Sequence, residues 1–399
     1  FGSSNFSSSQ FGREFISPEP GANAVRHHLG RAKASKGMSS TRVQDVLQCE
    51  FLPAGEFTMV ERIAKQNHDH DGVFKYRWAG AVQDGGHVAV KKFRLVACEP
   101  HADAERSERR APFDLGRARP YGGEDALTEI GVLRFLSRQP DVPQHLCEML
   151  RVFVDADHAW LVTKFCEAGD LFGEVKGRGE EGLGEAQSRR HSREILQAVR
   201  YLHQHSIAHQ DLNLENMLLD GGSVRVMDFG GAVQSHLPCG TEMWRFGNVG
   251  KPYYRAPECY NPNYEFVDVV APLAAAPGKL VLIKDCGHAP SHLAPNCELR
   301  LPHDARPGLR CRALVRGYAA QPIDAFAVGI CVFIMLNGRR PWGRACSDDN
   351  EYHFVRMLGF CWRNPMAPNA KEVVLGLTCA DPSRRLSMQA ALDCQWFHA

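Results

Sequence analysis

Five polar side chains lie far apart along the chain, in an order that suggests shared chemistry: Lys91, Glu129, Asp211, Asn216 and Asp228. Lys91 closes the apolar run Val88-Ala89-Val90-Lys91, which sets a long cation at the end of a buried strand. A compact ammonium there suits a ligand with several negative oxygens. Glu129 is the carboxylate available to hold it. Asp228, inside Asp228-Phe229-Gly230, is a hard carboxylate, and Asn216 offers a neutral oxygen; both are ligand types for Mg²⁺. Asp211, inside His209-Gln210-Asp211-Leu212-Asn213, is placed to accept a proton. Taken singly, each residue has a plainer explanation. A strand-ending Lys is usually a surface cap, an Asp-Phe-Gly is usually a turn, and a helical Glu is usually solvated.

These groups can meet only if particular elements bring them together. Phe74, Tyr76 and Trp78 alternate with polar residues, the signature of a strand. Asp84-Gly85-Gly86 is a turn signal, and His87 to Phe93 reads as the second strand of a hairpin. Leu127, Ile130, Leu133 and Leu136 recur at helical spacing, and Leu133 lies one turn beyond Glu129, on the same face. Ala159 to Thr163 is a further strand, 184–206 a helix, and Met217 to Met227 a short hairpin between Asn216 and Asp228. Residues 1–55 read as a disordered tail rich in Ser, Gly and basic residues, and 98–123 as an exposed insertion. The stretch 262–318 is rich in Pro, Ala, His and Cys and reads as a second insertion: a disordered loop, a docking surface or a gene-model artefact. Helical character resumes at Asp324. A strand-rich first part with one helix, followed by a helix-rich part, predicts an α+β, two-lobed plan: an antiparallel-sheet lobe over 56–165 and a helical lobe over 166–399.

In this order the motifs V-A-V-K, H-x-D-L-x-x-x-N, D-F-G and Ala256-Pro257-Glu258 resemble those of the eukaryotic protein kinases. The resemblance spans about residues 57–398. It is nearest the serine/threonine type and, within that, the calcium/calmodulin-dependent group, although no EF-hand calcium loop is present. It implies transfer of the γ-phosphate of ATP, with Mg²⁺, to Ser or Thr hydroxyls of protein substrates. Lys91 would then meet the α- and β-phosphates, Asp228 and Asn216 would hold metal, and Asp211 would be the base. Ala89 and Leu218 would sandwich adenine. Thr163 would be a small gatekeeper, Lys164-Phe165-Cys166 the hinge, and Asp170 a ribose or substrate contact. Glu258 and Arg385 would form a buried anchor, and Asp324 would hold the catalytic-loop backbone. Glu215 would favour basic residues upstream of the acceptor.

Departures from the pattern keep a second reading open, that of a pseudokinase acting as a nucleotide-binding or scaffold module. In place of a Gly-rich loop stands Ala64 to Phe74, where only Gly72 matches and where Asp69 and Asp71 would oppose phosphates of like charge. Asn213 occupies the place of a lysine that contacts the γ-phosphate; an amide there predicts slower transfer. Gln210 replaces an arginine that docks a phosphorylated activation loop, which implies activity independent of phosphorylation at Ser235 or Thr241. Lys251 replaces a threonine that helps select Ser/Thr acceptors.

Composition excludes other classes. With 47 Lys and Arg against 46 Asp and Glu, the net charge is +1, without the basic excess of a nucleic-acid binder. Fourteen cysteines are scattered with no C-x-x-C pair, which argues against a zinc ribbon and suits reduced thiols in cytoplasm or nucleus. The longest apolar run, Ala325 to Leu336, is too short for a membrane span. No G-x-S-x-G exists, so a nucleophilic hydrolase is rejected. The opening residue, Phe1, marks the chain as a fragment or processed form.

Overall fold

A computed structural model describes residues 47–64, 70–80, 86–95, 125–240, 242–245, 249–260, 263–274, 280–289, 298–363 and 367–398. The first part is a six-stranded sheet in the order β1-β5-β6-β4-β3-β2. Its strands are β1 (Glu50–Phe51), β2 (Phe57–Ala64), β3 (Gly72–Trp78), β4 (His87–Arg94), β5 (Met149–Val154) and β6 (His158–Lys164). All neighbours run antiparallel except β1, which lies parallel to β5.

The period of two along β4 divides the lobe. Val88 and Val90 join Tyr76, Phe153, Trp160 and Val162 in one cluster. Ala89 and Lys91 project from the opposite face, where Ala89 pairs with Thr163 and Lys91 with Leu161 across β6. Helix α1 (Ala126–Leu136) covers part of that face, packing Ile130 and Leu133 with Phe93 and Leu161. Asp125 caps α1 through its carboxylate, and its own N–H donates to Gly230 O at 2.9 Å. The start of α1 is thereby tied to the Asp-Phe-Gly segment. The expected disordered tail must be shortened: Leu47 is buried in the main core, and Leu52 N donates to Val154 O, so order reaches back into 47–55.

The second part is mostly helical. It comprises α2 (Leu171–Arg178), α3 (Glu185–Gln204), α4 (Pro257–Tyr260), α5 (Ala320–Asn337), α6 (Asn350–Leu358), α7 (Pro368–Leu377) and α8 (Met388–Leu392). Helix α5 is apolar all round because it is surrounded. It is long and apolar enough to cross a membrane, but 89% of it is buried, and it packs on α3 and α7. The short pairs β7 (Ile207–Ala208) with β10 (Val233–Gln234), and β8 (Met217–Asp220) with β9 (Ser223–Val226), frame the loops that carry Asp211 and Asp228.

Within the described part of 262–318 the structure forms a sheet rather than a disordered loop. Strand β11 (Trp244–Arg245) precedes it, and it is built from β12 (Asn263–Val270), β13 (Leu280–Leu282), β14 (Glu298–Arg300) and β15 (Arg310–Ala319). β12 and β15 pair over eight residues, from Asn263↔Gly317 to Val270↔Arg310. Val267, Val269, Ile283, Leu299 and Ala313 make a separate small core, which repays the ordering of this segment.

Candidate active site

Lys91 Nζ lies 2.9 Å from Glu129 Oε2 and 3.2 Å from Asp228 Oδ1. Three residues separated by up to 137 positions thus meet at one ammonium. Each arrives by a different route: Lys91 on the inward face of β4, Glu129 in the first turn of α1, and Asp228 at the end of the β8–β9 hairpin. Asp228 adopts a left-handed backbone, φ 64° and ψ 75°, uncommon for a residue with a side chain. That conformation turns the chain into the helical turn Phe229–Gly231, where Phe229 is fully buried. Burial by itself would raise the Asp228 carboxyl; the Lys91 ammonium outweighs it and holds the group below its ordinary range.

Asp211 stands beside this triad. Asn216 Nδ2 donates to Asp211 O at 2.9 Å and to Asp211 Oδ2 at 3.1 Å. Burial and the nearby Asp228 charge push the Asp211 carboxyl up, against His209, Lys251 and the Asn216 hydrogen bond, which pull it down. The loop is held from below. Asp324, buried in the first turns of α5, accepts from His209 N at 2.7 Å, Gln210 N at 2.8 Å and His203 Nε2 at 2.9 Å. His209 Nε2 bonds to Met227 O at 2.9 Å, joining this loop to the residue before Asp228. Glu258 and Arg385 form the expected buried pair, with Nη1–Oε1 at 2.6 Å and Nη2–Oε2 at 2.9 Å.

The residues expected around a purine fall in two pairs joined by the segment after β6. Ala89 and Thr163 share a register position, Leu218 bridges to Asp170, and Phe165 and Cys166 follow β6 directly. Asp170 Oδ1 accepts from Gly173 N at 2.7 Å, so it serves as the cap of α2. Sequence reasoning missed Lys75, which pairs with Ala89 and so shares its face. Its Nζ sits 4.2 Å from the centre of the Phe165 ring and 3.1 Å from Glu167 Oε1.

At three of the expected positions the structure shows local partners. Gly72 opens β3. Its φ is +127°, and a Cβ would come 2.9 Å from Ala64 O, so the position serves the close approach of β2. Asp71 is ion-paired with Arg94, whose Nε lies 2.7 Å from Oδ1, and hydrogen-bonded to His158 Nε2 at 2.7 Å. Asn213 is fully buried. Its Nδ2 donates to Asp211 O, and its Oδ1 accepts from Asn216 N at 3.2 Å and Lys251 Nζ at 3.2 Å. An amide bonded in this way caps the short helical turn Leu214–Asn216. Asp69 and Thr241 lie outside the described residues. Ser235 is fully buried, with Oγ held by Gln321 Nε2 and His236, so it is closed to modification in this conformation. Gln210, in place of the arginine, donates to Ala320 O at 3.1 Å.

Residues 83–269 match the family described as protein kinase domain. The chain contains a protein kinase domain. Among curated relatives it is 25% identical over 281 residues to calcium-dependent protein kinase 24 of Arabidopsis thaliana, covering 68% of this chain and 37% of that one. It is 24% identical over 282 residues to serine/threonine-protein kinase 33 of Mus musculus, covering 67% and 45%. It is 28% identical over 343 residues to NUAK family SNF1-like kinase 2 of Homo sapiens, covering 84% and 42%. The chain therefore spans less than half the length of each. The antiparallel-sheet lobe with its helix and the helical second lobe are those of the kinase-like fold.

The donor set suits Mg²⁺. Asp228 supplies carboxylate oxygen, and Asn216, with its Nδ2 committed to Asp211, presents its amide oxygen elsewhere. Hard oxygens of this kind, few in number, are how Mg²⁺ is held when phosphates complete its shell. Among the described residues no cluster of three or more His, Cys, Asp or Glu forms a separate metal site.

Proposed function

We propose that this protein is a serine/threonine protein kinase that transfers the γ-phosphate of ATP to hydroxyls of protein substrates. The observation that carries this reading is Lys91 Nζ held within 3.2 Å of both Glu129 and Asp228, beside Asp211. Phosphoryl transfer demands positioning and charge neutralisation more than covalent chemistry, and these residues supply both. Lys91, fixed by Glu129, would neutralise phosphate oxygens. Asp228 and Asn216 would hold Mg²⁺, which supplies further neutralisation when bound. Asp211 would orient the acceptor hydroxyl and take its proton. Ala89, Thr163 and Leu218 would line the base pocket, with hinge backbone at Phe165 and Cys166. Glu215 is matched by Lys251 at 3.2 Å, so it gives no ground for a basic-residue preference. We place the protein in the cytoplasm or nucleus, in keeping with its scattered thiols.

The test is ADP formation from Mg·ATP with a mixed Ser/Thr peptide library, run beside an Asp228→Asn control. Turnover in the first and loss in the second support the kinase. Equal signals with retained nucleotide binding support the scaffold reading, in which the departures at Gly72 and Asn213 are decisive.

A further inference from the structure

Lys251 is a cation outside the Lys91–Glu129–Asp228 triad, and the structure seats it firmly. Its Nζ lies 3.2 Å from Asn213 Oδ1 and 3.2 Å from Glu215 Oε1. An ammonium has three donors; the third has no partner among the described residues. The backbone beneath it is pinned to the loop that carries Asp211. Gly250 has φ +71°, and a Cβ there would lie 3.2 Å from Gln210 O and 3.7 Å from Asp211 Oδ1. Arg255 donates from Nε to Val249 O at 2.9 Å and from Nη2 to Gly250 O at 2.8 Å. The Lys251 carbonyl accepts from Tyr254 N and Arg255 N, both at 3.1 Å, and Tyr254 Oη accepts from Leu214 N at 3.3 Å. A half-buried lysine on so constrained a turn is preorganised, which is what makes a charge effective against charge that develops during reaction.

We propose that Lys251 supplies the positive charge at the transferred phosphoryl group, from the segment after the Asp-Phe-Gly turn instead of from the catalytic loop. The proposal rests on the kinase reading above. If Asp211 takes the proton of the acceptor hydroxyl, the phosphoryl group in transfer lies next to Asp211, and the ammonium beside Asn213 and Asp211 lies at that end. Lys91 serves the other end. Position 213, where the resemblance implies a lysine, holds an amide whose oxygen instead orients the Lys251 ammonium. Cation and orienting group have exchanged places in the sequence while the charge stays beside Asp211. The slow transfer anticipated from Asn213 is thereby withdrawn.

The experiment measures Mg·ATP and Mg·ADP affinity by calorimetry, and turnover, for the wild type, Lys251→Thr, Lys251→Arg and the exchange Asn213→Lys/Lys251→Thr. Lys251→Thr should lower kcat about 100-fold. It should cut the preference for ATP over ADP about ten-fold, with ADP affinity held within about two-fold. Lys251→Arg should keep the preference, and the exchange should restore most of kcat. Unchanged kcat and unchanged ATP preference in Lys251→Thr would overturn the proposal while leaving the kinase reading intact. A wild type that binds ATP without turnover defeats that reading, and the affinity ratio still decides whether Lys251 meets the terminal phosphate. A wild type that binds neither nucleotide overturns both.

Discussion

Two lysines act on the Asp211 and Asp228 loops and are held in opposite ways. Lys91 stands on a central strand between two carboxylates, with its side chain 11% exposed and Glu129 at 6%. Lys251 stands on a turn, 39% exposed, between a neutral amide and a carboxylate that is itself 30% exposed. The first site needs both carboxylates, because a cation buried so deeply loses most of its hydration and must be compensated. The second remains partly hydrated and can be positioned by hydrogen bonds without full neutralisation. That leaves its charge available to a ligand. The core cation is fixed by the fold, and the peripheral one by local loop geometry.

The largest effect that tests this contrast is removal of the core charges. Lys91→Met and Asp228→Asn should each lower turnover about 1,000-fold in a radiolabelled phosphate-transfer assay. That exceeds the loss expected at Lys251. Comparable losses at both lysines would show that the two sites share the work evenly, and the asymmetry drawn from burial would be wrong.

A finer test removes the partners and leaves the lysines. Glu129→Gln keeps shape but leaves the buried Lys91 with Asp228 alone, and turnover should fall about 30–100-fold. Glu215→Gln loosens only a half-exposed pair, worth less than about 1 kcal/mol, so turnover should move by less than about five-fold. Steady-state kcat/KM of the two variants side by side decides the matter. A greater loss from Glu215→Gln would mean that Lys251 depends on its carboxylate more than its exposure suggests.

The difference also explains what could be read before the structure. Lys91, Asp211, Asn216 and Asp228 each sit in a motif of two or more residues, and Glu129 sits on a helix with plain periodicity. Their order alone implied a meeting point. Lys251 is a departure from the pattern that suggested only altered acceptor selection. It reaches Asn213 across 38 positions through a turn shaped by Gly250 and Arg255, and no periodicity encodes such a turn. The same holds for Lys75, whose place on the Ala89 face depends on the β3–β4 register. The inserted sheet was hidden for another reason. Along β12, Val267 and Val269 are buried while Phe266 and Asp268 are exposed, so the alternation exists in space but is blurred by Phe266, an apolar residue on the outer face.

Loss of turnover must be kept apart from loss of folding, and Glu194 offers the control. On α3 it accepts from Val224 N at 2.9 Å and faces His191 Nδ1 at 3.2 Å, fastening the hairpin that leads to Asp228. Burial would raise this carboxyl, but the His191 and Val224 hydrogen bonds outweigh it and hold it below its ordinary range. A carboxyl depressed in the folded state contributes its stability above the unfolded value, about 4.3, and loses it as pH falls through the folded value. Glu194→Gln should therefore be less stable by about 1–2 kcal/mol at pH 7 by urea unfolding. The gap should close towards pH 3. A gap that is constant with pH would assign the effect to packing instead of charge.

The smallest effect concerns a third lysine. Lys75 projects from the same face as Ala89, over the pocket assigned to the base, and is tethered outward by the Phe165 ring at 4.2 Å and Glu167 at 3.1 Å. Glu167 is 66% exposed, so the tether is weak, about 1 kcal/mol for the ring contact and ion pair together. A nucleotide entering between β4 and the hinge has to displace this side chain or slide beneath it. Lys75→Val removes the tether and presents a plain apolar roof, so Mg·ADP should bind about three- to five-fold more tightly by calorimetry. Turnover at saturating ATP should stay within about two-fold, because Lys75 lies at the base end and not among the phosphates. Weaker binding in the variant would show that the ammonium stacks on the base, as it stacks on Phe165, and would make all three lysines ligands for the nucleotide.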